Sequence, residues 1–167
     1  MDKRYLLILI VVIICCINLS IIVNNSDVVG SASVSVGKYL FSMPEGCHMY
    51  KDNGDSVVIQ NNNNNMAIYY ETDLNDADTF NKRLNYIDNG TTDKILSQGT
   101  LTIENITVNS VYYQSVNHTN TSAFYFEKDN NKFKIMISNF NYNNDRNLTI
   151  DYVTQIIQST HIDYKSN

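Results

Sequence analysis

The stretch SAFYFEKDNNKFKIMISN, residues 122–139, decides the fold. Apolar and polar side chains alternate on both sides of the turn formers Asp129, Asn130 and Asn131. Because successive side chains of a strand point to opposite faces, this pattern is typical of a β-hairpin with one buried face. It predicts strands over 122–128 and 132–139. The predicted buried face consists of Phe124, Phe126, Phe133, Ile135 and Ile137.

Further strands are predicted on the amino-terminal side of this hairpin. Segments 95–103 and 106–117 alternate in the same way around a turn at Glu104 and Asn105. Segments 56–60 and 66–70 are apolar and flank the Asn-rich loop 61–65, which indicates another hairpin. Upstream, Phe41 and Met43 predict a strand that Pro44 and Gly46 end.

Two helices are predicted between and after the strands. Segment 76–88 has an apolar stripe at helical spacing, formed by Ala77, Phe80, Leu84 and Ile87, with Asn75 or Asp76 as its cap. Segment 147–160 has a similar stripe, formed by Ile150, Val153, Ile157 and Thr160, with capping side chains expected among Asn144 to Asn147. The order of elements predicts an α+β fold in which two helices pack on one antiparallel sheet.

Three features together resemble the PsbP-like family. They are the opening strand and turn Tyr39-Leu40-Phe41-Ser42-Met43-Pro44-Glu45-Gly46, the hairpins around the first helix, and a closing helix that ends Ile156-Ile157-Gln158-Ser159. The resemblance covers roughly residues 39–162 and implies an α-β-α sandwich around an antiparallel sheet. It also implies a binding or assembly module without shared catalytic machinery. Where the family usually places an aromatic residue after the Pro-x-Gly turn, this chain has Cys47.

Residues 5–23, YLLILIVVIICCINLSIIV, contain no charge, Gly or Pro and follow Lys3 and Arg4. As a helix they would span about 28 Å, close to the hydrocarbon thickness of a bilayer. We therefore expect a single transmembrane anchor, with a cleaved signal peptide, and hence a secreted domain, as the alternative. Ile14 before Cys15 does not fit a lipoprotein signal.

The basic residues before the apolar segment predict a cytoplasmic stretch 1–4. Residues 24–37 are predicted to be a linker in which Val34 and Val36 could form a short edge strand. Residues 38–167 are then an extracytoplasmic domain.

Charge and motifs argue against several functions. From Asp27 onward the chain has 16 acidic and 10 basic side chains, a net charge of 10 − 16 = −6, which repels nucleic acid. No phosphate-binding Gly loop, Gly-x-Ser-x-Gly elbow or paired Cys-x-x-Cys motif is present. Cys47 and His48 are adjacent in a strand and should point to opposite faces. We expect no enzyme activity and no cofactor.

Two kinds of site are candidates. The acidic group Glu71, Asp73, Asp76 and Asp78 could bind Ca²⁺, or it could cap a helix and face solvent. Sequons for N-glycosylation that could be used outside the cytoplasm occur at Asn24, Asn89, Asn105, Asn117, Asn120 and Asn147.

Tyrosines also occur as strand pairs, Tyr69-Tyr70 and Tyr112-Tyr113, of which one member each should face outward. Such outward tyrosines could form an interaction surface.

The sequence thus predicts a membrane-anchored extracytoplasmic protein whose domain binds a protein partner at or near the membrane without catalysing a reaction. Two alternatives stay open. One is a cell-surface structural or adhesive glycoprotein, which the sequons suggest. The other is a ligand- or cation-binding sensor domain that uses the acidic group.

Overall fold

The computed structural model describes residues 32–63, 65–75, 78–90 and 92–163. The predicted anchor 5–23 and most of the predicted linker 24–37 lie outside the described residues. None of the helices within these ranges is long and apolar enough to cross a membrane.

The described chain forms ten strands and two helices. The strands are β1 Ser33–Val36, β2 Tyr39–Ser42, β3 Cys47–Asp52, β4 Ser56–Asn61, β5 Ala67–Glu71, β6 Lys94–Ile103, β7 Ile106–Gln114, β8 Asn120–Lys128, β9 Asn131–Ser138 and β10 His161–Ile162. The helices are α1 Phe80–Gly90 and α2 Tyr142–Ser159.

Seven strands form the large sheet, in the order β3-β4-β5-β9-β8-β7-β6, and every neighbouring pair is antiparallel. The prediction of a single sheet is wrong, because β1, β2 and β10 form a second, three-stranded antiparallel sheet. The predicted linker is correspondingly too long. Val34 and Val36 of β1 are fully buried, so residues 33–36 belong to the folded domain.

The two longest hairpins close through tight turns. Glu104 and Asn105 have φ values of 48° and 67°, and Asp129 and Asn130 have φ values of 52° and 60°. Two consecutive residues with positive φ match the twist of the flanking strands, and Asn and Asp tolerate this conformation. The predicted turn at 129–131 is one residue shorter than expected, because Asn131 already begins β9.

Both faces of the large sheet contribute residues to a hydrophobic core. One face packs on α2 and the small sheet, and the predicted hairpin residues Phe124, Phe126, Phe133, Ile135 and Ile137 are all buried there. The other face packs on α1, which buries Ala123 and Tyr125 of the same hairpin. The layers therefore follow the expected α-β-α order, with the small sheet beside α2. The alternation of apolar and polar residues identifies only the more apolar face of a strand. It therefore could not predict that α1 buries residues on the other face.

Both helices begin at other residues than predicted. The described part of α1 begins at Phe80, where the Thr79 hydroxyl accepts a hydrogen bond from the Lys82 N–H at 3.4 Å. Predicted residues Asp76 and Ala77 lie outside the described residues. Helix α2 begins at Tyr142, five residues before the predicted start at 147. Residues 144–147 therefore lie inside the helix, and of these Asp145 takes part in the cap.

Asn141 is the residue that starts α2. Its side-chain oxygen accepts hydrogen bonds from the N–H groups of Asn143, at 3.1 Å, and Asn144, at 3.3 Å. The Asp145 carboxylate accepts in turn from the Asn141 N–H at 2.9 Å. This reciprocal arrangement satisfies amide groups that have no partner within the helix.

The other end of α2 is fixed by a lysine from the sheet. Lys128, at the end of β8, donates from its ammonium group to the carbonyl oxygens of Ile157, at 3.0 Å, and Thr160, at 2.5 Å. A cation at the carboxyl end of a helix also interacts favourably with the helix dipole. The helix is therefore held at both ends as well as along its buried face.

Replacing Asn141 with Ala should lower the free energy of unfolding by about 1 kcal/mol, because the cap bonds to the first turn of α2 are lost. Asn144→Ala, a matched change inside the same turn, should alter it by less than about 0.5 kcal/mol. Urea unfolding followed by circular dichroism measures both. Equal losses in the two variants would contradict the assignment of Asn141 as the cap.

Candidate functional site

The structure divides the acidic group of the sequence between two lysines. Glu71 ends β5 and Asp78 lies just before α1, and both carboxylates pair with the ammonium group of Lys134 in the middle of β9. The Glu71 Oε2 to Lys134 Nζ distance is 2.6 Å. Asp76 lies outside the described residues.

Lys134 is almost fully buried, with 7% of its surface exposed. Burial lowers the pKa of its ammonium group, but the hydrogen bonds to Asp78 and Glu71 and their negative charges outweigh burial and raise the pKa above its ordinary value. Tyr125 adds a further bond, since its hydroxyl donates to Asp78 Oδ1 at 3.1 Å. Lys134 is therefore a buried, charged tie between the sheet and the segment that leads into α1.

Asp73 is held elsewhere. Its carboxylate lies 3.6 Å from the ammonium group of Lys38, and the Tyr39 hydroxyl donates to it at 3.5 Å. Both side chains of the Lys38–Asp73 pair are about half exposed. This pair links the segment after β5 to the start of β2.

The three described carboxylates thus pair with ammonium groups instead of lining an open cation site. In the described ranges no group of three His, Cys, Asp or Glu side chains could hold a metal ion. A hard cation needs several converging oxygens, and the place between Glu71 and Asp78 is taken by Lys134. Sequence reasoning missed this lysine because Lys132 and Lys134 alternate like solvent-facing residues of a hairpin.

Cys47 and His48 point apart, as predicted. Cys47 packs against the main core and lies beside the Tyr152 hydroxyl, whereas His48 is exposed. Burial raises the pKa of the Cys47 thiol, and the nearby Tyr152 hydroxyl opposes this only in part. A raised pKa lowers the thiolate fraction at neutral pH, so Cys47 is poorly suited to act as a nucleophile.

A groove of about 500 Å³ lies at the start of α1. Its walls include Asp78, Phe80 and Tyr125, with Asn81 and Asn109 as neutral polar groups. The rings of Phe80 and Tyr125 meet edge to face with centroids 6.0 Å apart. The groove adjoins the Lys134 cluster, whose charged groups are already paired with one another.

The more extensive surface is on the sheet itself. Helix α1 packs on β6 and β7 and leaves the same side of β3, β4 and β5 open. We call this side the open face and define it by Lys51, Val58, Gln60, Ala67 and Tyr69. Lys51 is exposed, and the other four side chains are partly exposed.

The tyrosine pairs behave differently from each other. Tyr70 is buried and Tyr69 lies on the open face, as the alternation predicts. Tyr112 and Tyr113 are both buried, so the expectation that one of them faces outward is wrong. Helix α1 packs over Tyr113, whereas Tyr69, on the same side of the sheet, is partly exposed.

The sequons differ in accessibility. The side chains of Asn89, Asn105, Asn117 and Asn147 are exposed, and Asn24 lies outside the described residues. Asn120 is engaged: its amide donates to the Phe140 carbonyl at 2.9 Å and its oxygen accepts from Gln114 at 3.1 Å. A glycan on the Asn120 amide nitrogen would have to fit beside the Phe140 carbonyl, so this sequon is the least suitable of the described ones.

The layers define a PsbP-like α-β-α sandwich, and comparison with known proteins supports this fold. CyanoP, the PsbP of Synechocystis sp. PCC 6803, is similar with a TM-score of 0.50 and 12% identity over 75% of this chain and 86% of that one. A crystal structure from Bacteroides thetaiotaomicron VPI-5482 gives 0.51 and 11%, over 80% of this chain and 48% of that one.

The Ran-binding protein Mog1p of Saccharomyces cerevisiae gives a TM-score of 0.48 at 9% identity, over 82% of this chain and 98% of that one. No protein-family model matches the sequence, and no curated protein matches it. At such identities the likeness concerns the fold alone.

Replacing Lys134 with Met should lower the free energy of unfolding by about 2 kcal/mol at neutral pH, because two carboxylates then face each other without a cation. The folded-state pKa of Lys134 lies above the ordinary 10.5. Its contribution is therefore complete below pH 10.5 and is lost as the pH rises through the folded-state pKa.

Urea unfolding of the wild type and the Lys134→Met variant is measured at neutral and at strongly alkaline pH. The difference between their free energies of unfolding should be smaller at the higher pH. Lys94→Met removes an exposed lysine of β6 and is the matched control. If Lys134→Met lowers the free energy of unfolding no more than this control does, the structural role of the buried ammonium group is contradicted.

Adding about 1 mM Ca²⁺ should leave the melting temperature of the protein unchanged, because Lys134 already occupies the place between the two converging carboxylates and pairs with both. Differential scanning fluorimetry with and without a chelator measures the effect. A melting temperature that rises with Ca²⁺ concentration would instead favour the sensor interpretation of the acidic group.

Proposed function

We propose that the protein is a membrane-anchored, extracytoplasmic protein whose described domain is a non-catalytic binding or assembly module for a protein partner. The observation that carries the proposal is the open face. A sheet side that α1 leaves open, beside an edge strand with exposed Met49 and Tyr50, offers a broad surface in place of a reactive cleft.

The use of the reactive side chains supports a non-catalytic role. The charged groups Lys134, Glu71 and Asp78 are paired with one another, and the Cys47 thiol has a raised pKa. Enzymes usually place perturbed groups in a cleft where they are free to react with a substrate. Here Lys134 ties the sheet to the segment before α1, and Cys47 packs against the main core.

The membrane part of the proposal rests on the sequence. Residues 5–23 are apolar and long enough for one span, and Lys3 and Arg4 favour the cytoplasmic side for the segment before it. The domain would then lie outside the cytoplasm, close to the bilayer, with its partner in or near the same membrane.

A surface glycoprotein is the second candidate. The observation that favours it is the exposure of Asn89, Asn105, Asn117 and Asn147, because an exposed Asn side chain can accept a glycan without disturbing the core. Intact-mass measurement of the native protein distinguishes this candidate, since each glycan adds a large mass to the chain.

The proposal is tested by isolating the full-length protein from native membranes in mild detergent. We expect it in the membrane fraction, with its domain accessible to protease from the extracytoplasmic side and with one partner in stoichiometric amount. A protein recovered alone, or found in the soluble cytoplasmic fraction, would contradict the proposal. A variant with Lys3 and Arg4 replaced by Glu should lose this orientation and serves as a control.

A further inference from the structure

One continuous row of side chains crosses the open face. Antiparallel pairing places Lys51 opposite Val58, Val58 opposite Tyr69, and Tyr69 opposite Met136. Residues opposite each other share a face and lie on strands about 4.8 Å apart, so the row is about 14 Å long. It runs from the exposed edge at β3 to the flank of α1.

Arg83 of α1 stands at the inner end of this row. Its Nη2 donates to the sulfur of Met136 at 3.3 Å, and its guanidinium lies near the rings of Tyr86 and Tyr113, 6.0 and 5.8 Å from their centroids. No described carboxylate lies within ion-pair distance of it. Within the described residues the guanidinium of Arg83 is therefore held by two aromatic rings and a thioether and forms no ion pair.

The row thus has a positive group at each end and apolar groups between them. Lys51 is exposed at the outer end, and Val58, Tyr69 and Met136 form the floor. This contrasts with the net charge of −6 from Asp27 onward. An acidic ligand would be repelled by most of the domain and attracted to this row.

The rows of side chains on the two sides of this row differ in charge. On one side lies the group of Lys134, Glu71 and Asp78, which keeps one net negative charge. On the other side His48, Gln60, Ala67 and Ser138 share a row without carboxylates. Carboxylates of a ligand are therefore directed toward the side of Gln60 and away from Glu71.

We propose that the open face, together with Arg83 and Met136, docks an acidic extended segment of a protein partner. Lys51 and Arg83 bind carboxylates of the segment, and Tyr69 and Met136 contact an apolar side chain between them. About four extended residues span the row. The inference deepens the proposed binding function and rests on it. A bilayer is a poorer occupant, because the acidic domain as a whole is repelled by anionic lipids.

The test uses a displayed library of random dodecapeptides, selected on the full-length protein in detergent. We expect the enriched peptides to be acidic with an aromatic or aliphatic residue. Fluorescence anisotropy of a labelled enriched peptide should show about tenfold weaker binding to Lys51→Glu and to Arg83→Gln. Binding to Arg83→Lys, which keeps the charge, should stay within about threefold of wild type.

Lys94→Glu changes the charge equally on an exposed residue of β6 and is the matched control, with binding expected to be unchanged. Lys51 is exposed, so its substitution tests the proposal even where an Arg83 variant unfolds.

Basic or neutral peptides, or equal binding to wild type and Lys51→Glu, would overturn the inference. Two further results would also overturn it, each in favour of another occupant. One is that the protein binds vesicles of anionic lipid more strongly than vesicles of neutral lipid and that Lys51→Glu abolishes this binding. The other is a dimer in sedimentation that Lys51→Glu dissociates. A native partner that co-purifies equally well with Lys51→Glu would leave the proposed function intact and refute only this surface.

Discussion

The buried ammonium group of Lys134 is the constraint on which the arrangement of the domain depends. It lies in the large sheet and pairs with one carboxylate at the end of β5 and another just before α1. The segment that leads from the sheet into the helix is thereby tied to β9. Removing a buried ammonium group from its partners is costly, so the start of α1 has little freedom. The position of α1 decides in turn which strands it covers and which it leaves open.

The two faces of the large sheet consequently have different characters. One is covered by α2 and the small sheet and contains the larger core. On the other, α1 packs on β6 and β7 and covers Ala123 and Tyr125 of β8. A sheet covered completely on both faces would leave only its edges and loops for recognition. Here the position of α1, fixed by the ion pairs of Lys134, leaves the open face available. Two basic side chains, Lys51 and Arg83, lie at the two ends of that surface.

The hairpin residues illustrate what the sequence could and could not predict. Alternation identified Phe124, Phe126, Phe133, Ile135 and Ile137 as buried, because a strand with one strongly apolar face shows a period of two. It did not identify the burial of Lys134, which pairs with Glu71 and Asp78, or of Tyr113, which α1 covers on the more polar face. The start of α2 was missed for a local reason. Four Asn residues occur at 141, 143, 144 and 147, and only geometry distinguishes the one that caps.

The family resemblance predicted the layer order, whereas the small sheet depends on pairing between residues far apart in the chain.

That small sheet has a mechanical consequence. Strands β1 and β10 flank β2 on opposite sides, and both run antiparallel to it. The chain enters the domain where Ser33 pairs with Ser42, and the last described strand leaves where Ile162 pairs with Tyr39. A pulling force between these two points would act along the strands and load their hydrogen bonds together in shear, instead of opening them one after another. Tension applied through the ends of the domain is therefore borne by β2 before it reaches the large sheet.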